Sequence, residues 1–579
     1  MCAMRVRSPH MKLFLAPPAP HHCGALHLGA VSCALHHAPY MKMDRAIRCH
    51  GVITLWTQVE EEFSKLAVDD EFERKQVIQE ISSHILEMAK SELHSVKLFL
   101  STILRLAHRA PFTEVSEGMK TLLGDLESLG LQVPRVRFRK GPSFYIPKDK
   151  VPKLDDTKSE VWPIFRDAFM NDARVSHMVQ VMGLHPKYLV HWVQAHHHLM
   201  RECNGVLPRH FRAYIAIIAS ARHNCLYTVN LLEREFLCFG GDQEWLEGLK
   251  NAPKKLQNLA TVNNILCHKP WAITSQHMQD LLTGPDSWSR PELTQALTII
   301  CHFHALTTFV LGCGLTHEID SIAGHNYGSS GYCTPVQSYP NSPQVDSGED
   351  DLLGDPENNG NPIMFDDIYT RLLQEDGSPR LIQDVNHQIF TDLIEQQATS
   401  SGGSRRKTSA LAHYMMDPEM EYEKYGTQNK TKVHRIFGEE LDWEEMGYPC
   451  CRNLDVVLAD ILNRKFENIQ ELTYHTMGGK ENIDTSKLRS SVWYYVHRLW
   501  GIYYYNVDYS MIQELLPPGF RNYIFCTTCM PEQLKEDIFN NWESKRGFTH
   551  SEKVHFCLII MEARFQAEYC FALKALSTY

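Results

Sequence analysis

The chain has no run of about 18 uncharged apolar residues, so its sequence offers no membrane-spanning helix. The best candidate, Val96 to Ala107, carries Lys97 and Arg105. Basic excess is also missing. Lys and Arg number 58 against 69 Asp and Glu, a net charge of -11, which argues against nucleic-acid binding as the main role. There is no glycine-rich phosphate loop, and strand-like alternation is scarce. The 17 cysteines are odd in number and show no framework spacing, so they read as reduced thiols, pointing to the cytoplasm or nucleus. The one C-x-x-C, Cys526 to Cys529, lacks a thioredoxin-like strand and helix around it, and Pro531 suggests a helix start nearby. His196-His197-His198 has no second ligand set at helical spacing, so it reads as an exposed polar cluster. No metal or other cofactor is expected.

What is present is a long chain with a globular composition. Its 579 residues, 43% hydrophobic and 22% charged, exceed one core and imply two or three domains. Residues 1–52 read as a disordered leader, since Met11-Lys-Leu-Phe-Leu-Ala-Pro-Pro is too short and proline-broken for a signal peptide. Residues 53–155 form a helical extension and connector. Its amphipathic stripe is Val77, Ile78, Ile81, Ile85, Leu86 and Met88, and its basic connector holds Gly141 to Pro147. Helical pattern fills 156–321, with start signals at Pro186 and at Thr274-Ser275. Residues 322–409 read as a largely disordered linker with short helices at 365–373 and 381–397. It contains the phosphorylation candidates Thr334-Pro335, Ser342-Pro343 and Arg405-Arg406-Lys407-Thr408. A last helical half covers 410–579. The fold class is all-α.

Cys225 stands out. It lies in Phe211 to Val229, an uninterrupted stretch of small and apolar residues that reads as one buried helix. Arg222 and His223 precede it and Tyr227 follows, so two cations are at hand to favour the thiolate. A packed core cysteine is the plainer alternative. Ile217-Ile-x-x-Ala-Arg-x-x-Cys-x-Tyr227 also echoes Ile559-Ile-x-x-Ala-Arg-x-x-Ala-x-Tyr569, which suggests two copies of one helical domain.

The chain resembles the sestrin family. The resemblance rests on Val181-Met-Gly-Leu-His-Pro186, Tyr214 to Tyr227, Gly240-Gly-Asp-x-Glu-Trp-Leu246 and Asn251-Ala-Pro-Lys-Lys-Leu256. It continues through His268-Lys-Pro-Trp-x-Ile273, Phe309-Val-Leu-Gly-Cys-Gly314, Leu472-Thr-Tyr-His-Thr476, Asp484-Thr-Ser-Lys-Leu-Arg489 and His550-Ser-Glu-Lys-Val-His555. It implies two helical halves like the alkylhydroperoxidase AhpD, packed as an intramolecular pseudo-dimer.

Two activities are implied. One is leucine sensing that controls the GATOR complex, and with it Rag GTPases and target-of-rapamycin signalling. The other is a peroxide reductase in the first half with Cys225, Tyr227 and His223 as its catalytic group. For that second activity the chain departs from the pattern. No thiol stands three residues either side of Cys225 to resolve an oxidised form, and Leu232 replaces the family's histidine two turns on.

For leucine, the resemblance assigns the ligand carboxylate to Arg489 and the ammonium to Glu552. Leu488, Trp542 and Phe548 would line the apolar part, and Thr473, Tyr474, Thr476 and Thr485 would form a lid. An ordinary ion pair between Arg489 and Glu552 is the alternative. Trp542 stands farther from Glu552 than the resemblance expects, and leucine over valine rests on one methylene. A latch is expected between His185 and Asp484, pairing across the halves when the lid closes. The family's acidic docking stretch reads here Tyr505-Asn506-Val507-Asp508-Tyr509, with most of its acid lost.

Overall fold

The structure, a computed structural model, describes residues 59–91, 96–133, 141–202, 205–321, 410–422, 436–541 and 547–578. The expected leader, the phosphorylation candidates, the short linker helices and Trp542 lie outside these. The described chain is overwhelmingly helical. Its few strands are two-residue pieces: β1 (Ile436–Phe437) pairs in parallel with β4 (Ile502–Tyr503), and β2 (Thr476–Met477) pairs antiparallel with β3 (Lys480–Glu481).

After a helical stretch at 59–64 come three longer helices, α1 (Glu71–Ser91), α2 (Lys97–Arg109) and α3 (Thr113–Ser128), with α3 packed on both others. Ile78, Ile81 and Ile85 of the expected stripe are buried in α1, as helical spacing requires. The first half follows with α4 (Trp162–Asp172), α5 (His177–Met182), α6 (Pro186–Met200), α7 (Arg209–Ala221), α8 (Leu226–Cys238), α9 (Ala260–His268), α10 (Ser275–Leu282) and α11 (Arg290–Gly312). The second half holds α12 (Tyr448–Leu454), α13 (Val456–Glu471), α14 (Ser486–Leu499), α15 (Tyr509–Leu515), α16 (Pro518–Cys529), α17 (Glu536–Asn541) and α18 (His550–Ser577). By length and composition α11 could cross a membrane, but it is a core helix, apolar on all sides because neighbours surround it.

The halves repeat one design. In the first, α9 ends at Lys269, a one-turn 3-10 helix starts with Pro270, and α10 leads to α11. In the second, α16 ends at Met530, a 3-10 turn starts with Pro531, and α17 leads to α18. The two turn entries match in backbone: φ -156, ψ 61 at Lys269 and φ -142, ψ 54 at Met530. Both long helices open with a capping box, Ser289 with Glu292 and Thr549 with Glu552. Counted from those glutamates, His304 and Arg564 are equivalent positions. α11 and α18 pack against each other as the main contact between the halves.

The echo noticed in the sequence is not this repeat. Ile559 to Tyr569 lies inside the unbroken α18, whereas Ile217 to Tyr227 spans the break between α7 and α8. Two copies are present, but in another register.

One carboxylate ties the N-terminal helices to the first half. The Asp320 side chain is buried and its carboxylate bonds Arg105 of α2 at 2.8 Å, Arg174 at 3.0 Å, and Arg234 of α8. Burial alone would raise its pKa, but the guanidinium groups hold it well below the ordinary carboxylate value. The segment 410–422 also lies on the first half. Tyr414 donates to Glu233 at 2.6 Å, and Arg222 donates to the carbonyls of Asp417 and Met420 at 3.0 Å each.

Candidate functional site

A flap follows α13. The chain leaves the helix at Leu472, passes Thr473, Tyr474 and His475, and folds into the β2–β3 hairpin. Its two-residue turn is Gly478-Gly479, with φ of 57° and 78°. Positive φ at both positions is the pattern of a I′ hairpin, which glycine adopts without penalty. The amide of Ile483 donates to His475 O at 3.0 Å and closes the base. The Asp484 carboxylate accepts from the Ser486 amide at 2.8 Å, and Thr485 leads into α14, which carries Leu488 and Arg489.

Arg489 and Glu552 hold opposite ends of this flap. Arg489 is 5% exposed and donates through Nη1 to Leu472 O at 2.9 Å and to Thr485 Oγ1 at 3.3 Å. Its Nε is buried without a hydrogen-bond partner. Burial lowers its pKa while Asp484 works against that. Glu552, in the first turn of α18, accepts from the Thr549 amide at 2.7 Å and from the Gly478 amide at 3.0 and 3.1 Å. The capping box thus points a carboxylate at the flap tip. Arg489 and Glu552 form no salt bridge with each other, so the simple ion-pair alternative fails. Leu488 and Phe548 are buried, with Phe548 5.1 Å from the Phe556 ring and 6.2 Å from Phe520. Among the hydroxyls, Thr485 is buried and Thr473 and Thr476 are half-buried; Thr473 Oγ1 accepts from the His475 amide at 3.2 Å.

The first half reaches the flap through His185, but not as expected. His185 Nε2 lies 2.8 Å from Ser551 O, and its Nδ1 lies 2.8 Å from Tyr474 Oη. Donation to the carbonyl leaves Nδ1 to accept from the tyrosine. The expected His185–Asp484 pair is not formed. Asp484 is exposed at the start of a helix, where free amides take its carboxylate, and His185 has no positive charge to offer. Burial pushes the His185 pKa down to about 4. His555 stands beside it, with ring centres 5.1 Å apart and Tyr474 6.0 Å away; the sequence motif His550 to His555 contains this histidine but assigns it no role. The Gly478-Gly479 pair is a hairpin signal, but Lys480 and Glu481 after it carry no apolar alternation to mark a strand in the sequence.

The thiol region departs further from the sequence reading. α7 stops at Ala221, Asn224 takes a left-handed φ of 51°, and Cys225 is the N-cap of α8. Phe211 to Val229 is therefore two helices, because asparagine tolerates the left-handed region that ends one. Cys225 is fully buried, accepts from Thr228 Oγ1 at 2.8 Å, and is pushed up to about 11 by burial. Neither expected cation serves it. Arg222 turns to Asp417 and Met420, and His223 faces Cys267, with Nε2 3.2 Å from that sulfur. Tyr227 donates to Glu318 at 2.8 Å and accepts from the Met178 amide at 3.1 Å, which locks α8 to α5.

Other expectations are corrected in detail. Cys526 and Cys529 occupy the last turn of α16, not a helix start, and burial pushes Cys526 up to about 11. His196 to His198 are half-buried rather than exposed. His196 lies 3.3 Å from His302, and His198 lies 3.1 Å from Asp455. In the docking stretch Tyr505, Asn506 and Asp508 are exposed, Val507 and Tyr509 are buried, and Asp508 caps α15.

The family described as PA26 p53-induced protein (sestrin) matches residues 141–579. Sestrin-1 of Mus musculus is 34% identical over 476 residues, covering 79% of this chain and 94% of its own. Sestrin-1 of Macaca fascicularis is 33% identical, covering 78% of this chain and 93% of its own. Sestrin-2 of Homo sapiens is 32% identical, covering 76% and 91%. A match across both halves at this identity places the chain in the sestrin family.

Proposed function

We propose that this chain is a leucine-responsive regulator acting in the cytoplasm and nucleus, whose flap closes over the amino acid and sets its grip on the GATOR complex. The reading extends to Rag GTPases and to restraint of target-of-rapamycin signalling. One observation carries it. A guanidinium and a carboxylate secure the two ends of one flap without pairing with each other, and the guanidinium keeps a buried, unbonded Nε. A buried donor left unbonded is costly, and a ligand carboxylate would satisfy it with a charge-assisted bond. Glu552 would take the ammonium, and Leu488 and Phe548 the isobutyl group. Docking on the Tyr505 to Tyr509 surface would depend less on charge than in relatives, since Asp508 is its one acid and already caps a helix.

Calorimetry with leucine, isoleucine, valine and methionine tests this. Leucine should bind, and Arg489→Ala should remove the heat and the ligand-induced rise in Tm. Equal binding of leucine by the variant would refute the assignment. The Cys225-centred reductase is the weaker reading, because that thiol is disfavoured as a thiolate and lacks its expected cations.

A further inference from the structure

Between the halves lies a buried cluster that neither the flap nor Cys225 uses. Cys267, next to last in α9, is fully buried, with Sγ 3.2 Å from His223 Nε2. His223 Nδ1 lies 3.1 Å from Glu532 Oε2, in the 3-10 turn after α16. Arg564 of α18 places Nη2 2.8 Å from His223 Nε2 and 3.9 Å from the Cys267 sulfur. The same nitrogen donates to Cys267 O at 3.3 Å, and Nη1 to Thr528 O at 2.6 Å. In the repeat register those two carbonyls are equivalent, so Arg564 spans the local symmetry of the fold. His304 completes one wall, held by Glu568 at 3.1 Å and Asn263 at 2.9 Å. His268 stands edge-on to His223, 5.7 Å between ring centres, with both ring nitrogens buried and unbonded.

The order thiol, imidazole, carboxylate is that of an activated nucleophile with its base and the base's orienter. Glu532 accepts a hydrogen bond from His223 Nδ1–H, which leaves the Nε2 lone pair facing the sulfur and Arg564. When the thiol proton moves to Nε2, the thiolate forms beside a guanidinium. We propose that Cys267, with His223 as proton acceptor and Glu532 as its orienter, is the peroxide-reactive thiol of this chain, oxidised to a sulfenic acid by hydrogen peroxide. This goes beyond leucine binding and does not rest on it.

In the step, Sγ attacks one peroxide oxygen, the S–O bond forms and the O–O bond breaks. Sulfur gives up two electrons. The departing hydroxide takes the proton from His223 Nε2 and leaves as water, so the cysteine thiol and hydrogen peroxide become a sulfenic acid and water. Because Sγ is sealed from solvent, the site favours an oxidant about the size of water over a bulky hydroperoxide. The electrostatics agree. Burial would raise the thiol's pKa, but His223, His268 and His304 outweigh it and bring it well below the ordinary value.

The full-length reduced protein, exposed to stoichiometric hydrogen peroxide, provides the test. Catalase stops the reaction, and unfolding in dimedone then traps sulfenic acids without bias from burial. Peptide mass spectrometry should find Cys267 labelled at least 10-fold faster than Cys225, and His223→Gln should slow Cys267 at least 10-fold. Glu532 is partly exposed, so Glu532→Gln should fold, slow the labelling and move its pH midpoint upward. Should His223→Gln fail to fold by circular dichroism, Glu532→Gln decides the matter. Faster labelling of Cys225, no label on Cys267, or a folded Glu532→Gln with unchanged rate and pH profile would each overturn the proposal.

Discussion

Single residues in this protein are defined by which neighbour claims them, more than by their place in a motif. His223 lies two residues before Cys225 in sequence but bonds Cys267, and Arg222 lies three before it but holds the segment 410–422. His185 shows how this leads to measurable behaviour. Its folded pKa, about 4, lies below the unfolded value near 6.5, so the unfolded chain binds more protons between those values. Its contribution to stability is complete above about pH 6.5 and is lost as pH falls through 4. The shift corresponds to roughly 3 kcal/mol. Denaturant unfolding of His185→Gln should give lower stability at pH 7 and a shallower loss between pH 6.5 and 4. His177, also lowered to about 4, keeps part of the slope in both proteins. An identical pH dependence in variant and parent would contradict the assignment.

At the scale of elements, the flap is a hairpin too short to persist alone, held by its attachments. The Gly478 amide is bonded to a carboxylate, a contact worth about 2 kcal/mol. Glu552→Ala should therefore speed hydrogen exchange at Gly478 roughly 30-fold, given that each 1.4 kcal/mol is a factor of ten, while α13 stays protected. Unchanged exchange there would mean that other contacts hold the tip. The elements also mark how far the sequence could be read. Ile78, Ile81 and Ile85 announced α1, Pro186 opens α6, and Thr274 forms a capping box with His277 at the start of α10. The break at Asn224 carried no glycine or proline and escaped notice, and with it the position of Cys225. The site residues Arg489 and Glu552 came from family resemblance, and their attachment to one flap is a tertiary fact. The Cys267 cluster was illegible for the same reason: its members come from α9, α11, α18 and two separate turns.

The whole molecule is organised around the facing pair α11 and α18, whose equivalent positions have diverged to His304 and Arg564. Divergence of this kind needs two copies in one chain, because a symmetric homodimer would place the same side chain on both sides. Other contacts bridge the halves, among them Tyr188 with Glu562, and His185 Nε2 with Ser551 O at 2.8 Å. Asp320, gripped by three arginines, anchors the end of the first half just before residues 322–409. Continuity through that stretch is therefore not what keeps the halves together. Cutting the polypeptide anywhere within it should yield two fragments that copurify through gel filtration and unfold in one transition, and fragments that drift apart would disprove this. Such a protein is a natural template for a split reporter: each piece supplies half of a single interior, and reassembly is legible as recovered function.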